Sequence, residues 1–211
     1  VSDEATQGTT VEQGRPGGPP ARERPRHDDH TAMFPHVSRW SRGYDPDQVD
    51  DFFARARIAY EGPLESSMRG ADVRTVAFDL VRGGYASAAV DGALDRLEGA
   101  FVRRERAGFV ARQSQKEWMS AVAERATTLY PRLVRPRGER FAPPERGRGY
   151  LADDVDDVLD RLVAYFDKNS TLTSADLRAA TFRAARGERA YAEGPVDAYL
   201  DRAVEVLLAV E

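Results

Sequence analysis

Apolar residues recur along this chain at helical spacing, in bursts interrupted by glycine and proline. Val49, Phe52, Phe53, Ala56 and Tyr60 form one stripe, and Val90, Leu94, Leu97 and Phe101 a second. Val155, Val158, Leu159, Leu162 and Phe166 form a third, and Val196, Leu200, Val204 and Leu207 a fourth. Steps of three and four predict amphipathic helices with one buried face each. Gly62-Pro63 and Asn169-Ser170 mark the ends of the first and third. A shorter stripe precedes the second helix (Val73, Val76, Ala77, Leu80, Val81) and another the fourth (Leu177, Ala180, Thr181, Ala184). Both pairs read as helix-turn-helix. After Phe101 the seam positions are Arg104, Gly108 and Ala111, and the stripe resumes only at Trp118, Val122 and Leu129. This predicts a long, partly exposed helix from about Ser87 to Tyr130, broken near Gly108. The expected class is all-α, with short helices and helix-turn-helix units in two duplicated halves and a longer connecting helix.

The duplication is read from a repeated spacing: Tyr, Val at +5, Asp at +6, Phe or Leu at +9 and Arg at +11. It occurs as Tyr44-Val49-Asp50-Phe53-Arg55, Tyr85-Val90-Asp91-Leu94-Arg96, Tyr150-Val155-Asp156-Leu159-Arg161 and Tyr191-Val196-Asp197-Leu200-Arg202. Tyr44 to Tyr150 and Tyr85 to Tyr191 are both 106 residues, so a pair of units is expected to have been copied. The expected layout is a disordered tail at 1–33, a first half at 34–104, a helical basic connector at 105–140 and a second half at 141–211.

The motif has a mechanical reading. Asp45, Pro46 and Gln48 predict a capping box with proline at the first helical position, and Tyr44 and Val49 then hold the places of a hydrophobic staple. The Tyr–Val interval repeats in all four copies, whereas Ala86 and Leu151 are poor caps. Gly43, Gly84 and Gly149 precede three of the tyrosines and permit a tight reversal or close chain approach. Ala190 takes that place in the fourth.

Composition removes several chemistries. With 41% hydrophobic residues the chain can build a core, and without cysteine it has no disulfide, thiolate zinc site, iron–sulfur cluster or cysteine nucleophile. No apolar run is long enough for a membrane span, and the polar first thirty residues do not read as a secretory signal, so a cytoplasmic location is expected. His27-Asp28-Asp29-His30, with His36 nearby, offers metal-ligating atoms but on a flexible tail without fixed geometry. Adjacent carboxylates such as Asp50-Asp51 and Asp156-Asp157 diverge around a helix and form no shared acid–base pair. No cofactor, metal or catalytic residue is assigned, and no enzyme activity is expected.

The net charge of −4 conceals a split: residues 103–148 carry a net +7 and the remainder −11. Basic residues are almost all arginine, which a GC-rich genome would also produce. The glycine pair 83–84 between two predicted helices resembles a DNA-reading helix-turn-helix, but the second helix presents Asp91 and Asp95, which repel phosphate. Nucleic acid is therefore disfavoured for the repeated helices. The basic 103–148 segment stays open as a nucleic-acid or anionic-membrane contact, with Arg103 and Arg104 in it. Trp40 and Trp118 are each open between burial and partner contact.

Arg42-Gly43-Tyr44-Asp45-Pro46-Asp47-Gln48-Val49-Asp50-Asp51-Phe52-Phe53 and Arg148-Gly149-Tyr150 through Val155-Asp156-Asp157-Val158-Leu159 resemble the signature of the DivIVA-domain family of bacterial division and pole-organising scaffolds. The four matching segments cover roughly half of the chain. The resemblance implies a non-catalytic helical adaptor, linked to cell division or envelope growth through protein partners, with a peripheral site at septum or pole. Members of that family place an exposed aromatic before the motif arginine as a lipid contact; here Ser41 and Gly147 hold that position, Trp40 lies one residue earlier, and Arg42 and Arg148 are the matching arginines. Where a single-motif scaffold pairs its helices between two chains, four copies in one chain imply an intramolecular pseudo-dimer.

Overall fold

The computed structural model describes residues 32–63 and 68–211. The expected tail and its His27–His30 cluster lie outside the described residues. From Arg42 the order is β1 (Arg42–Tyr44), α1 (Pro46–Glu61), α2 (Gly70–Arg74), β2 (Leu80–Arg82), α3 (Ser87–Arg112), α4 (Gln115–Thr127) and α5 (Tyr130–Leu133). Then follow β3 (Gly149–Leu151), α6 (Ala152–Phe166), α7 (Ser174–Arg178), β4 (Ala184–Ala185), a 3-10 turn at Gly187–Arg189, β5 (Ala190–Tyr191) and α8 (Glu193–Val210). The protein is mostly helical, with a few small antiparallel strands; the strands correct the all-α expectation. The helix-turn-helix reading also gives way: α2 and α7 are five residues each, and the chain then extends through Leu80–Arg82 and Ala184–Ala185. Thr75 and Ala179 end these helices, and beyond them Phe78 and Phe182 pack half-buried from non-helical backbone.

Each four-helix stripe expected from the sequence is present. Asp45 accepts from the Asp47 and Gln48 amides at 2.9 and 3.4 Å and caps α1, placing Tyr44 and Val49 at the staple positions. The Gln48 side chain does not return to the cap. It exchanges two 2.8 Å bonds with Asp79 instead, and the Asp45 amide donates to the Asp79 carbonyl. The other three motif helices start without a side-chain cap, at Ala86, Leu151 and Ala192. The motif valines Val49, Val90, Val155 and Val196 are each fully buried.

The long connecting helix breaks at Gln113–Ser114, not at Gly108, which is buried inside α3. Ser114 accepts from the Glu117 amide at 3.1 Å and its hydroxyl donates to the Glu117 carboxylate at 3.0 Å, a start signal stronger than one helical glycine. Trp118 is buried, and its indole N–H donates to the Ala209 carbonyl at 2.9 Å. Residues 34–211 form one compact unit. Its largest core gathers α4, α5, α6 and α8 around Leu159, Leu162, Leu207 and Leu129, while Phe52, Val73 and Phe101 pack beneath α1 and α2.

Candidate functional site

The tyrosine motifs meet in pairs through backbone. The amides of Tyr44 and Tyr85 each donate to the other's carbonyl, at 2.9 and 2.8 Å, and Tyr150 pairs antiparallel with Tyr191. Glycine is required beside these bridges. A Cβ on Gly43 would stand 2.2 Å from the Tyr85 carbonyl oxygen, and one on Gly149 would stand 2.1 Å from that of Tyr191. A Cβ on Gly84 would meet the Tyr44 oxygen at 2.4 Å. Close chain approach, not a tight reversal, explains these three positions.

Side chains complete each pair crosswise. The Tyr85 hydroxyl donates to Asp50 at 3.0 Å, and the Tyr44 hydroxyl faces Asp91. In the later pair Tyr191 contacts both oxygens of Asp156, at 3.2 and 3.1 Å, and Tyr150 reaches Asp197 at 3.5 Å. Every motif tyrosine thus meets the motif aspartate of the opposite copy, three of them through a hydrogen bond. Burial, then the facing carboxylate, raises the Tyr44 and Tyr150 hydroxyls above the ordinary tyrosine range; burial, with Asp156 adding to it, does so for Tyr191. The aspartates at +6 thus have a structural role as partners of the tyrosines. Their recurrence at one offset in four copies was the available signal.

The two braces differ in what else holds the aspartate. Asp156 is fully buried, accepts from the Gly138 amide at 2.7 Å, and lies 3.5 Å from the Arg140 guanidinium. Arg140 and Arg137 also grip Asp160, and Arg137 bonds Asp157 at 2.7 Å. Burial pushes the Asp160 carboxyl up, but Arg140 and Arg137 together outweigh it and hold it below the usual carboxylate range. Asp50 has no such sleeve: its Oδ1 is buried and lacks a hydrogen-bond partner.

Between the two braces lies an open cleft of about 730 Å³. Its walls include Tyr44 and Tyr150, Phe78 and Phe182, and Asp91 and Asp197. At its base Arg74 of α2 and Arg178 of α7, 104 positions apart, converge on Glu98 of α3, which is 2% exposed. Arg74 bonds one Glu98 oxygen at 2.6 Å, Arg178 bonds the other, and each keeps a second carboxylate, Glu205 at 3.6 Å and Asp95 at 3.3 Å. Sequence inspection missed this triad because Glu98 occupies an apolar seam position and its partners are far away in the chain.

The expected contact residues separate. Phe53 and Leu94 pack half-buried beside Tyr85, Leu159 is fully buried and Leu200 nearly so. Trp40 is 73% exposed, with the Arg39 guanidinium 4.9 Å from its ring centre; Arg42, which opens β1, and Arg148, just before β3, are exposed. Arg103 is exposed on α3, whereas Arg104 donates to the Gly62 carbonyl at 2.5 Å and lies over the Tyr60 ring. An open groove of about 810 Å³ runs between α1 and residues 76–79, with Ile58, Val76 and Phe78 on its walls.

No helix of the described residues is long and apolar enough to cross a membrane. No family model matches the chain, and neither a curated protein nor a solved structure does.

Proposed function

We propose that this protein is a non-catalytic helical adaptor made of two duplicated halves, paired within one chain as an internal pseudo-dimer. The crosswise tyrosine–aspartate braces support the duplication. So do two further counterparts: Gln48–Asp79 corresponds to Asp154–Arg183, and Glu105 on the Gly70 amide corresponds to Glu211 on that of Ser174. Light scattering should then give a monomer mass; an obligate elongated dimer refutes the internal pairing.

The adaptor reading rests on one asymmetry between halves built alike. Trp40, Ile58 and Leu80 are 73%, 72% and 51% exposed, and their counterparts are Arg146, Ala164 and Ala184. Among the described residues, no large hydrophobic side chain after Val134 is exposed to a comparable degree. Large apolar side chains exposed on one copy and absent from the matching positions of the other support a protein contact on that copy. The groove beside Ile58 fits an apolar helix face of a partner, with Asp51, Arg55 and Asp79 as a polar rim. The resemblance to DivIVA-domain scaffolds supports a partner from the division or envelope-growth machinery.

A fluorescent fusion in growing cells tests this. Septal or polar foci are expected, and Ile58→Asp with Leu80→Asp should disperse them while Ala164→Asp with Ala184→Asp should not. Diffuse signal from the unaltered protein refutes the reading.

A further inference from the structure

Where the apolar seam of α3 lapses, a second cavity opens. It holds about 390 Å³ and is walled by Arg104 and Arg112 of α3, Arg125 of α4 and Arg69 just before α2. Arg104, Gly108 and Arg112 stand on one i, i+4, i+8 row, and glycine leaves no side chain between the two guanidinium groups. None of the four arginines has a carboxylate partner among the described residues. Glu105, the one acid on the wall among the described residues, accepts from the Gly70 amide at 3.0 Å. Aromatic side chains close the back: Phe109 stands edge-on to Trp118 at 5.4 Å, and Arg125 lies 5.9 Å from the Trp118 ring.

We propose that this cavity is a binding site for a diphosphate group, carried by inorganic pyrophosphate or by a nucleoside diphosphate. Among the described residues of the wall, four cations stand against one committed carboxylate in a concave space, and gathering like charges this way is unfavourable without an anion. Guanidinium forks match phosphate oxygens in pairs. The volume sits at the low end of ligand cavities, about 300–1,000 Å³, and suits a compact polyanion. A duplex or bilayer would meet cations spread over a convex or flat surface, whereas these four line one concave space.

The test uses the full chain with Trp40→Phe, which leaves Trp118 as its sole tryptophan. Calorimetric titration with pyrophosphate and with ADP should show one saturable site, accompanied by a change in Trp118 emission. Inorganic phosphate should bind about tenfold more weakly, having fewer oxygens to engage. Arg112→Ala with Arg125→Ala should weaken pyrophosphate at least about tenfold, since each removes a charge-assisted contact. Both side chains are exposed, and the backbone bonds that Arg125 accepts from Thr128 survive truncation to alanine, so an unchanged thermal melt checks the fold. Tighter binding of ADP assigns the ligand as a nucleotide, and equal binding assigns the diphosphate group alone; both support the site. It is overturned by absence of saturable binding, by an affinity that the double variant leaves unchanged, or by binding only to duplex DNA or phosphatidylglycerol vesicles that pyrophosphate does not compete away.

Discussion

Replacing each motif tyrosine by phenylalanine removes one hydroxyl from four chemically matched sites, and the structure ranks the losses. Tyr191 is 1% exposed, donates to the buried Asp156 and accepts from the Arg140 amide at 3.1 Å. Its removal costs a hydrogen bond to a charged group and strands a buried amide, about 2–3 kcal/mol. For a chain of this length that lowers Tm by roughly 4–12 °C. At Tyr85 the loss falls on Asp50, whose other oxygen already lacks a partner, so about 1.5–2 kcal/mol is expected. Tyr150 bonds an exposed Asp197 at 3.5 Å, a long contact that water replaces, and Tyr150→Phe should cost under about 0.5 kcal/mol. Urea denaturation of the four variants, with midpoints compared at constant slope, reads the series directly. Equal losses at Tyr150 and Tyr191, or no loss at Tyr191, would refute the brace as the reason for the motif.

Further outcomes follow from the same geometry. Glu98→Ala leaves Arg74 and Arg178 facing each other across a buried gap; each retains one exposed acid, so the loss should be near 3 kcal/mol, the low end for a broken buried pair, read as a fall in Tm. Gly149→Ala drives a Cβ into the Tyr191 carbonyl and should cost about 3 kcal/mol or abolish folding, whereas Gly194→Ala meets nothing within 4 Å and should be neutral or better in the same melt. Raising pH through the tyrosine range should destabilise the protein: the hydroxyls of Tyr44, Tyr150 and Tyr191 titrate above their unfolded value, so their stabilisation is full below that value and lost as pH climbs through the folded one. Tyr191→Phe should flatten that alkaline fall in urea midpoints taken from pH 8 to 11.

Helix positions and the four-copy motif were legible in the sequence because they are local: a stripe at i, i+3, i+4 and a staple five residues long depend on side chains within one or two turns. Val49, Val90, Val155 and Val196 could be named as buried from spacing alone, and the need for glycine beside three tyrosines was visible as a choice between two causes. What the chain did locally at residues 75–82 was not visible. The same apolar residues satisfy a helical and an extended pattern when the segment is short, and pairing with Arg42–Tyr44 decides for strand. The Ser114–Glu117 box was readable and outweighed Gly108 as the helix break.

Tertiary structure alone decided which copies face each other, because a hydrogen bond from Tyr191 to Asp156 spans 35 residues and leaves no trace in local periodicity. It also placed Arg69, Arg104, Arg112 and Arg125 around one space. In the sequence they are a diffuse surplus of positive charge. Charge is counted along a chain, but its chemistry depends on distance, and only folding sets the distance.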